Sequence, residues 1–298
     1  MSFAARRFLF FLFAVGLFGA APRPAAAQAA DTVAVADTLR EIRLADGSVI
    51  YGRIVAAEKD SVTIRTAGEA TLQVPRAQIV SARPVRGRIV AGEVWSPDPN
   101  PSRLFFAPTG RPVPGGSGYF GVYELFFPFV TFGVSDAISV TGGTPIIPGL
   151  IGEFGYLGGK AAFVNRPKVQ AAAGLFGGFL TEEFNGVGGL AFGVATFGDA
   201  DDAVTAGAGF PFELGSDDDF LGGTPLLMLG GEARLGRRTK FITENYAIPG
   251  KSAVIVSGGI RFFGDRLSAD AGLVGALGED GGCCLPLVNF VYTFGGER

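Results

Sequence analysis

From residue 117 to residue 294 the sequence alternates, with a period of two, between apolar side chains and glycine or other small residues. This stretch holds 20 of the 28 phenylalanines, and 39 of the 47 glycines follow residue 114. So many aromatic and aliphatic residues exclude a disordered, glycine-rich chain. Segments of about ten residues with one apolar face and one small or polar face are typical of a transmembrane β-barrel. We therefore predict an all-β fold, with an antiparallel transmembrane barrel of about 12 strands, in the range of roughly 10–12.

Two segments show how the faces are assigned. Leu190, Phe192 and Val194 form the apolar face of one segment, and we expect this face to meet lipid while Gly189, Ala191 and Gly193 point inward. The last segment ends in an aromatic residue, as bacterial barrels commonly do. We expect its apolar face to be an assembly signal that the barrel-assembly machinery binds; its residues are Val288, Phe290, Tyr292 and Phe294.

The candidate turns give a second, independent indication of a barrel. Short ones, at 134–137, 165–167, 198–202, 236–238 and 264–265, alternate with mostly longer links at 142–155, 181–186, 213–224 and 277–286. Outer-membrane barrels have short periplasmic turns and longer outer loops in this order. The count reaches twelve if residues 118–134 form two strands with a bend near Phe127 and Pro128.

The start of the chain predicts export. Residues 1–27 have a basic pair, Arg6 and Arg7, then an apolar core and small residues at 25–27, which is the pattern of a signal peptide. Residues 28–38 are expected to be a flexible N-terminus. With a barrel at 117–298, this predicts a protein of the bacterial outer membrane, in contact with outer-membrane lipid.

Residues 39–95 are predicted to form a small periplasmic domain. The pattern IRLADGSVIYGRIVAAEKDSVTIRT, followed by LQVPRAQI, predicts five short strands with a 3₁₀ turn before the fifth. It resembles the SH3-like or Sm-like small barrel. That resemblance implies a fold and no particular task, because such barrels serve many unrelated functions. Since residues 28–114 hold 11 basic and 9 acidic side chains, we predict no nucleic-acid partner; a periplasmic protein partner is the alternative.

Residues 96–116 are rich in proline, which predicts an extended linker. The segment PNPSRLFFAPTGRPVPGGSGYFGVYELFFP, with FGVSDAIS after it, resembles the entry to the barrel in uncharacterised bacterial outer-membrane proteins that also carry a front domain. The resemblance implies location alone. Leu104, Phe105 and Phe106 are too apolar for a free linker, so we expect them to pack, either as a first barrel strand, which we favour, or as a plug-like insertion.

Few residues suggest chemistry. The sequence has no histidine, which removes Ser–His and Cys–His nucleophilic pairs and histidine-bound metals. The adjacent Cys283 and Cys284 are too few for a zinc site. The acidic runs at 199–202 and 217–219 lack the spacing of a calcium-binding EF-hand loop. We therefore predict that the protein is not an enzyme and needs no cofactor or metal.

Charged residues inside the predicted strands are the remaining candidates. Alternation places Glu232, Arg234, Arg261 and Asp270 on inward faces, because an Arg or Lys facing lipid at mid-bilayer costs about 2–4 kcal/mol. We predict a lumenal charge network that stabilises the barrel; a selectivity ring is the alternative. A turn at Gly264 and Asp265 would put Arg261 opposite Ser268, with Asp270 one diagonal step away.

Taken together, the sequence predicts a non-enzymatic outer-membrane barrel with a periplasmic small-barrel module and a structural or accessory role. A narrow passive pore or small-molecule transporter is the first alternative. A membrane-embedded enzyme is the second.

Overall fold

The computed structural model of the chain describes residues 38–149, 151–180, 187–214, 223–278, 282 and 284–296. The predicted signal segment and residues 28–37 lie outside these ranges. None of the described residues forms a helix long and apolar enough to cross a membrane.

A small antiparallel sheet comes first in the chain. Its strands are β1 (Arg40–Leu44), β2 (Val49–Ala57), β3 (Ser61–Thr66), β4 (Thr71–Pro75) and β5 (Ile79–Pro84), with a 3₁₀ turn at Arg76–Gln78. They are arranged in the order β4-β3-β2-β1-β5. The predicted Asp-Gly turn joins β1 to β2: Ser48 donates its N–H to Asp46 Oδ1 at 2.8 Å, and Gly47 has a φ of +86°. The five predicted strands and the 3₁₀ turn are all present, and they enclose a core of Ile42, Ile54, Val62, Ile64 and Val74.

A short hairpin, β6 (Arg88–Val90) and β7 (Glu93–Trp95), follows the sheet. The remaining strands form the barrel. They are β8 (Gly118–Tyr123), β9 (Phe127–Gly133), β10 (Ile138–Gly143), β11 (Phe154–Arg166), β12 (Val169–Leu180), β13 (Val187–Gly198), β14 (Ala203–Leu214), β15 (Leu226–Gly236), β16 (Thr239–Ala247), β17 (Val254–Phe263), β18 (Leu267–Leu277) and β19 (Leu285–Phe294).

These twelve strands close into one antiparallel barrel, in which β19 pairs with β8. The all-β fold class and the strand number of twelve are therefore confirmed. Residues 118–134 do form two strands, but the turn between them is at 124–126, slightly before the predicted bend at Phe127 and Pro128. Glu124 and Leu125 adopt positive φ in that turn, a conformation that is uncommon for residues other than glycine and that the sequence therefore does not predict.

The connections differ between the two ends of the barrel. At the end where β8 begins and β19 finishes, neighbouring strands are joined by two to four residues. At the opposite end the links have three to eleven residues. The predicted alternation of short and long connections is thus present. In chain order the small sheet comes before β8, which begins at the short-turn end.

Side chains alternate between the lumen and the outer face, but one strand is turned the other way from the prediction. In β13, Val194 and Thr196 are buried inside, whereas Phe197 is exposed outside. Leu190, Phe192 and Val194 therefore face the lumen, and Gly189, Ala191 and Gly193 face outward. The prediction for this strand was wrong because alternation fixes the period of a strand and leaves its direction open.

Residues 98–113 lie inside the barrel and are here called the plug. Leu104 and Phe105 are fully buried, and the chain reverses tightly between them and Ala107, whose carbonyl accepts the Leu104 N–H at 2.9 Å. The predicted linker at 96–116 is thus corrected. Of the two packing alternatives, the structure has the insertion and not a first barrel strand, because the charges of this segment find partners in the lumen.

Glycine lets the plug approach the wall closely at two places. A Cβ on Gly110 would meet the main chain of Gln170 in β12. A Cβ on Gly230, in β15, would meet the side chain of Leu104. Both contacts are possible only without a side chain, so the wall and the plug have matching shapes.

Candidate functional site

A row of polar side chains crosses the inner wall. Register places Lys240 opposite Arg261, Arg261 opposite Asp270 and Asp270 opposite Asn289, on four consecutive strands from β16 to β19. Arg261 binds Asp270 through two hydrogen bonds, Nε to Oδ1 at 2.6 Å and Nη2 to Oδ2 at 3.1 Å. The prediction that Ser268 lies opposite Arg261 was wrong by two residues. The β17–β18 turn is three residues long, and Ser268 lies opposite Phe263.

The plug adds two charges to this row. Asp98 Oδ2 accepts hydrogen bonds from Arg261 Nη1 and Lys240 Nζ, each at 3.2 Å. Arg103 Nη1 lies 3.0 Å from Asp270 Oδ2. Each carboxylate is therefore shared by two cations: Asp98 of the plug by two from the wall, and Asp270 of the wall by Arg261 of the wall and Arg103 of the plug. All five side chains are almost completely buried.

A second group of charges holds the returning arm of the plug. Arg111 forms an ion pair with Glu232 of β15, which also lies 3.4 Å from Lys240 Nζ. Lys160 of β11 donates to three plug carbonyls, those of Ser102 at 3.3 Å, Thr109 at 3.1 Å and Arg111 at 2.8 Å. The plug is thus attached to opposite sides of the barrel.

The tip of the plug is bound by one carboxylate. Glu244 Oε2, on β16, accepts the main-chain N–H groups of Phe105, Phe106 and Ala107 at 2.8, 3.0 and 3.1 Å. Successive N–H groups that converge in this way form a concave anion-binding site. Tyr246 donates its hydroxyl to the other oxygen, Oε1, at 2.6 Å. The charge of Glu244 is therefore fully hydrogen-bonded inside the lumen.

Arg234 lies apart from the other charged residues of the lumen. Its guanidinium lies at the short-turn end, 3.4 Å from Asp201, and stacks between the rings of Trp95 and Phe263. Its Nη2 also donates to the Ser96 carbonyl at 2.7 Å, where the plug begins. Of the four predicted network residues, the structure brings together Glu232, Arg261 and Asp270, and it places Arg234 outside their cluster.

The acidic run at 199–202 has structural contacts. Asp199 accepts the N–H groups of Asp201 and Asp202 in the β13–β14 turn, and these bonds lower the pKa of the Asp199 carboxyl. Asp201 pairs with Arg88 at 2.7 Å. Residues 217–219 and Cys283 lie outside the described residues, while Cys284 is disulfide-bonded. Within the described ranges, no group of three acidic, cysteine or histidine side chains could hold a metal ion.

The predicted assembly signal is at the barrel seam. Phe290 and Tyr292 of β19 are 43% and 45% exposed on the outer face, while Asn289 and Val291 between and beside them are buried inside. Strand β19 pairs with β18 on one side and β8 on the other. The alternation predicted for this strand is present, and its role in assembly stays a prediction.

Sequence reasoning missed most of the network. The missed residues are Asp98, Arg103, Arg111, Lys160, Lys240 and Glu244. Lys240 and Glu244 could have been found, because both stand at inward positions of a clearly alternating strand. The three plug charges had a weaker signal: they flank an apolar Leu-Phe-Phe run in a segment that composition identified only as extended.

No family model matches the sequence, and no curated protein matches it either. Solved structures are similar to its barrel. One is the "KdgM porin in complex with disordered oligogalacturonate", with a TM-score of 0.45 and 6% identity over 60% of this chain and 98% of that one. The NanC porin has a TM-score of 0.37 and 7% identity, over 59% and 97%. OccK11 (OpdR) of Pseudomonas aeruginosa has a TM-score of 0.31 and 12% identity, over 86% and 94%.

All three TM-scores are below 0.5, so these similarities do not indicate what this protein binds or transports. The class of protein rests on its own strand pairing. It is a closed, twelve-stranded antiparallel barrel of the outer-membrane type, whose lumen contains part of its own chain.

Proposed function

We propose that this protein is a non-enzymatic barrel of the bacterial outer membrane, closed by its own plug, which anchors a small domain at the periplasmic face. The observation that carries the proposal is the set of buried ion pairs between plug and wall, centred on Arg261, Asp270 and Asp98. Breaking a buried pair costs several kcal/mol, on the order of 3–5, so the plug is a stable part of the lumen. Its role is accessory: it holds the periplasmic domain at the membrane.

The outer surface supports the membrane location. Large apolar side chains are exposed around the barrel wall, among them Phe120, Phe163, Leu229, Phe262 and Leu273. A continuous apolar exterior of this kind needs lipid, because water-soluble monomers rarely expose large apolar patches. The short-turn end, beside the small sheet, is the periplasmic end by the usual rule for outer-membrane barrels.

The location is tested by fractionation. The protein is expected in the outer-membrane fraction, with heat-modifiable mobility on gels and a β-rich circular dichroism spectrum in detergent. Recovery as a soluble periplasmic monomer without detergent would overturn the proposal.

A passive pore is the competing function, and the plug argues against it. Planar-bilayer conductance separates the two. Wild-type protein is expected to give no steady current. A variant in which residues 98–111 are replaced by a glycine-serine segment of the same length should have an open lumen and give a steady current. A steady wild-type current of the same size as that of the replaced variant would favour the pore.

A point variant makes the same test with less disturbance. Glu244→Gln removes the charge that binds the three N–H groups of the plug tip, and hydrogen bonds to charged groups contribute roughly 1.5–3 kcal/mol. We expect brief openings in place of the silent wild type. Glu153→Gln, at an exposed carboxylate just before β11, is the matched control and stays silent.

We propose that the sheet at 40–84 is an SH3-like domain and that it binds a periplasmic protein. Val49, Tyr51, Val55, Leu72 and Val80 are exposed on it, which supports a binding surface. The lack of histidine in the sequence supports a role without catalysis, and nothing in the composition favours nucleic acid.

A further inference from the structure

An apolar cavity of about 540 Å³ occupies the lumen beyond the tip of the plug. Cavities of about 300–1,000 Å³ hold small-molecule ligands in proteins. The walls of this cavity are mainly aromatic and aliphatic; they include Phe127, Phe154, Phe176, Leu190, Phe192 and Met228. Because barrel interiors are normally polar, an apolar interior calls for a physical reason.

The reversed strand β13 is the source of this apolar wall. It turns Leu190, Phe192 and Val194 inward, toward the cavity. On both sides Phe192 faces glycine, at Gly174 of β12 and Gly209 of β14. The ring of Phe192 lies over Gly174, where a Cβ would be 2.7 Å from its Cζ, whereas Gly209 lines the cavity and a Cβ there would keep 3.6 Å from Leu190. The missing side chain at Gly209 therefore leaves open volume in place of a packed core. A strand serving only to fill the barrel would not need this pairing.

Several polar groups along the cavity have partners within the protein, whereas Nε and Nη2 of Arg103, which also lines it, are buried without a hydrogen-bond partner among the described residues. Tyr156 donates its hydroxyl to the Pro128 carbonyl at 2.7 Å, and Tyr246 donates to Glu244. Thr131 and Thr141 bond each other at 2.8 Å. The Lys160 ammonium donates to three carbonyls, as described above. Apart from these buried Arg103 nitrogens, a ligand would find little unmet demand for hydrogen bonds, and this favours an uncharged, largely apolar molecule.

The plug supplies the floor. Phe106, at its tip, is 40% exposed and lines the cavity, and its ring lies 5.1 Å from that of Tyr123, which stacks in turn on Phe129 at 4.1 Å. Glu244 holds the backbone of Phe106 in place. The floor is thus an ordered aromatic surface, which suits contact with an apolar ligand.

We propose that this lumenal cavity binds a single uncharged apolar molecule, of the class of a long-chain alcohol or similar acyl-chain compound. The proposal rests on the plug proposed above, since the plug closes the cavity on one side. It goes beyond an anchoring role, because it gives the barrel itself a ligand.

The test uses full-length protein in lipid nanodiscs and a hexadecanol that carries a photoactivatable diazirine on its chain. After illumination, the labelled residues are identified by mass spectrometry. We expect label on the lumen-facing Leu190 and Phe192, and its loss when excess unlabelled hexadecanol is added, because a cavity saturates. Label on the outward-facing Phe197 and Phe210 should persist, because the surrounding lipid does not saturate.

Matched variants of one small region serve as controls. Gly209→Leu adds a side chain whose Cβ lies 3.6 Å from Leu190 and which extends into the cavity, so lumenal label should disappear. Gly193→Leu points outward, where its Cβ meets nothing within 4 Å, so lumenal label should remain. Heat-modifiable mobility confirms that each variant is folded.

The outcomes separate the two proposals. Wild-type label on the outer face alone, with none in the lumen, would overturn the ligand and leave the membrane barrel standing. Lumenal label that unlabelled hexadecanol does not reduce would also overturn a specific site. Label spread over lumen and outer face alike in both glycine variants would contradict the assignment of the cavity.

Discussion

Arg261 makes more contacts with the plug than any other wall residue described above. It binds the carboxylates of Asp98 and Asp270 and, through Nη1 and Nη2, the carbonyls of Asn100 at 2.8 Å and Leu104 at 2.6 Å. Its planar guanidinium carries five donors in a fixed geometry, which a lysine ammonium lacks. In a buried network of this kind, the loss of one partner leaves another charge buried and unpaired in a medium of low dielectric constant.

Asp270→Asn tests how much the buried ion pairs stabilise the barrel. The change leaves Arg103 and one side of Arg261 without a carboxylate while it keeps the shape of the side chain. We expect a loss of about 3–5 kcal/mol in the free energy of unfolding, as for other buried pairs that lose one partner. The unfolding midpoint in detergent, with denaturant, measures it.

The control is Asp265→Asn, because Asp265 is exposed in the β17–β18 turn and its ion pair with Arg238 is exposed and 4.0 Å long. It should leave the midpoint unchanged. Exchanging the two charges, with Arg261→Asp and Asp270→Arg, should not restore stability, since the new carboxylate would face Asp98 and the new guanidinium Arg103. Full recovery would show that the pair acts alone.

For Arg261 and Asp270 the sequence predicted the face of each side chain correctly and the partner incorrectly. Alternation correctly placed Arg261 and Asp270 on inward faces. Their register depended on a turn that is three residues long, from Gly264 to Arg266, where the sequence suggested two. In the structure Phe263 pairs with Ser268 and not with Arg266, a shift of two residues that keeps the faces and makes the diagonal neighbour Asp270 the direct partner of Arg261.

At the scale of the element, composition predicted conformation better than position. Prolines in residues 96–116 predict an extended chain, and the segment does lack a regular strand or helix, but it folds back on itself between Leu104 and Ala107. Whether such a chain crosses water or enters a barrel depends on charges that are distant in sequence, such as Glu244 and Lys160. Likewise, the small residues of β13 were expected inside because lumens are usually polar, and here an apolar cavity replaces the polar one.

The second prediction concerns β19 as an assembly signal. Tyr292→Ala combined with Phe294→Ala removes the aromatic end of the strand, which lies at the seam with β8. We expect less assembled protein and more proteolysed precursor, because the barrel-assembly machinery reads the last strand before the seam closes. Immunoblots of outer-membrane and periplasmic fractions measure both species.

A matched pair elsewhere separates recognition from loss of lipid contact. Phe210→Ala with Phe241→Ala removes two outward aromatics of similar exposure, 48% and 39%, from strands remote from the seam. This control should assemble close to normally. Equal losses in both doubles would mean that aromatic area, and not the terminal strand, decides assembly.

At the scale of the whole molecule, the small hairpin joins the N-terminal sheet to the barrel. Trp95 lies between two guanidiniums, with Arg88 at 5.5 Å and Arg234 at 5.4 Å from its ring. Asp201 in the β13–β14 turn pairs with both arginines. The plug begins directly after this junction, so the hairpin sets the point at which the chain enters the lumen.

The last prediction tests whether the junction and the plug are held independently. Asp201→Asn removes the carboxylate that Arg88 and Arg234 share, and a partly exposed pair contributes at most about 1 kcal/mol. Because Trp95 is the only tryptophan in the sequence, acrylamide quenching of its fluorescence reports the junction alone. We expect stronger quenching in the variant and no change for Asp60→Asn, at an exposed carboxylate in the small domain. Bilayer conductance should stay silent, because the ion pairs around Arg261 lie deeper and do not involve Asp201. A current in Asp201→Asn would instead show that docking of the small domain controls the plug.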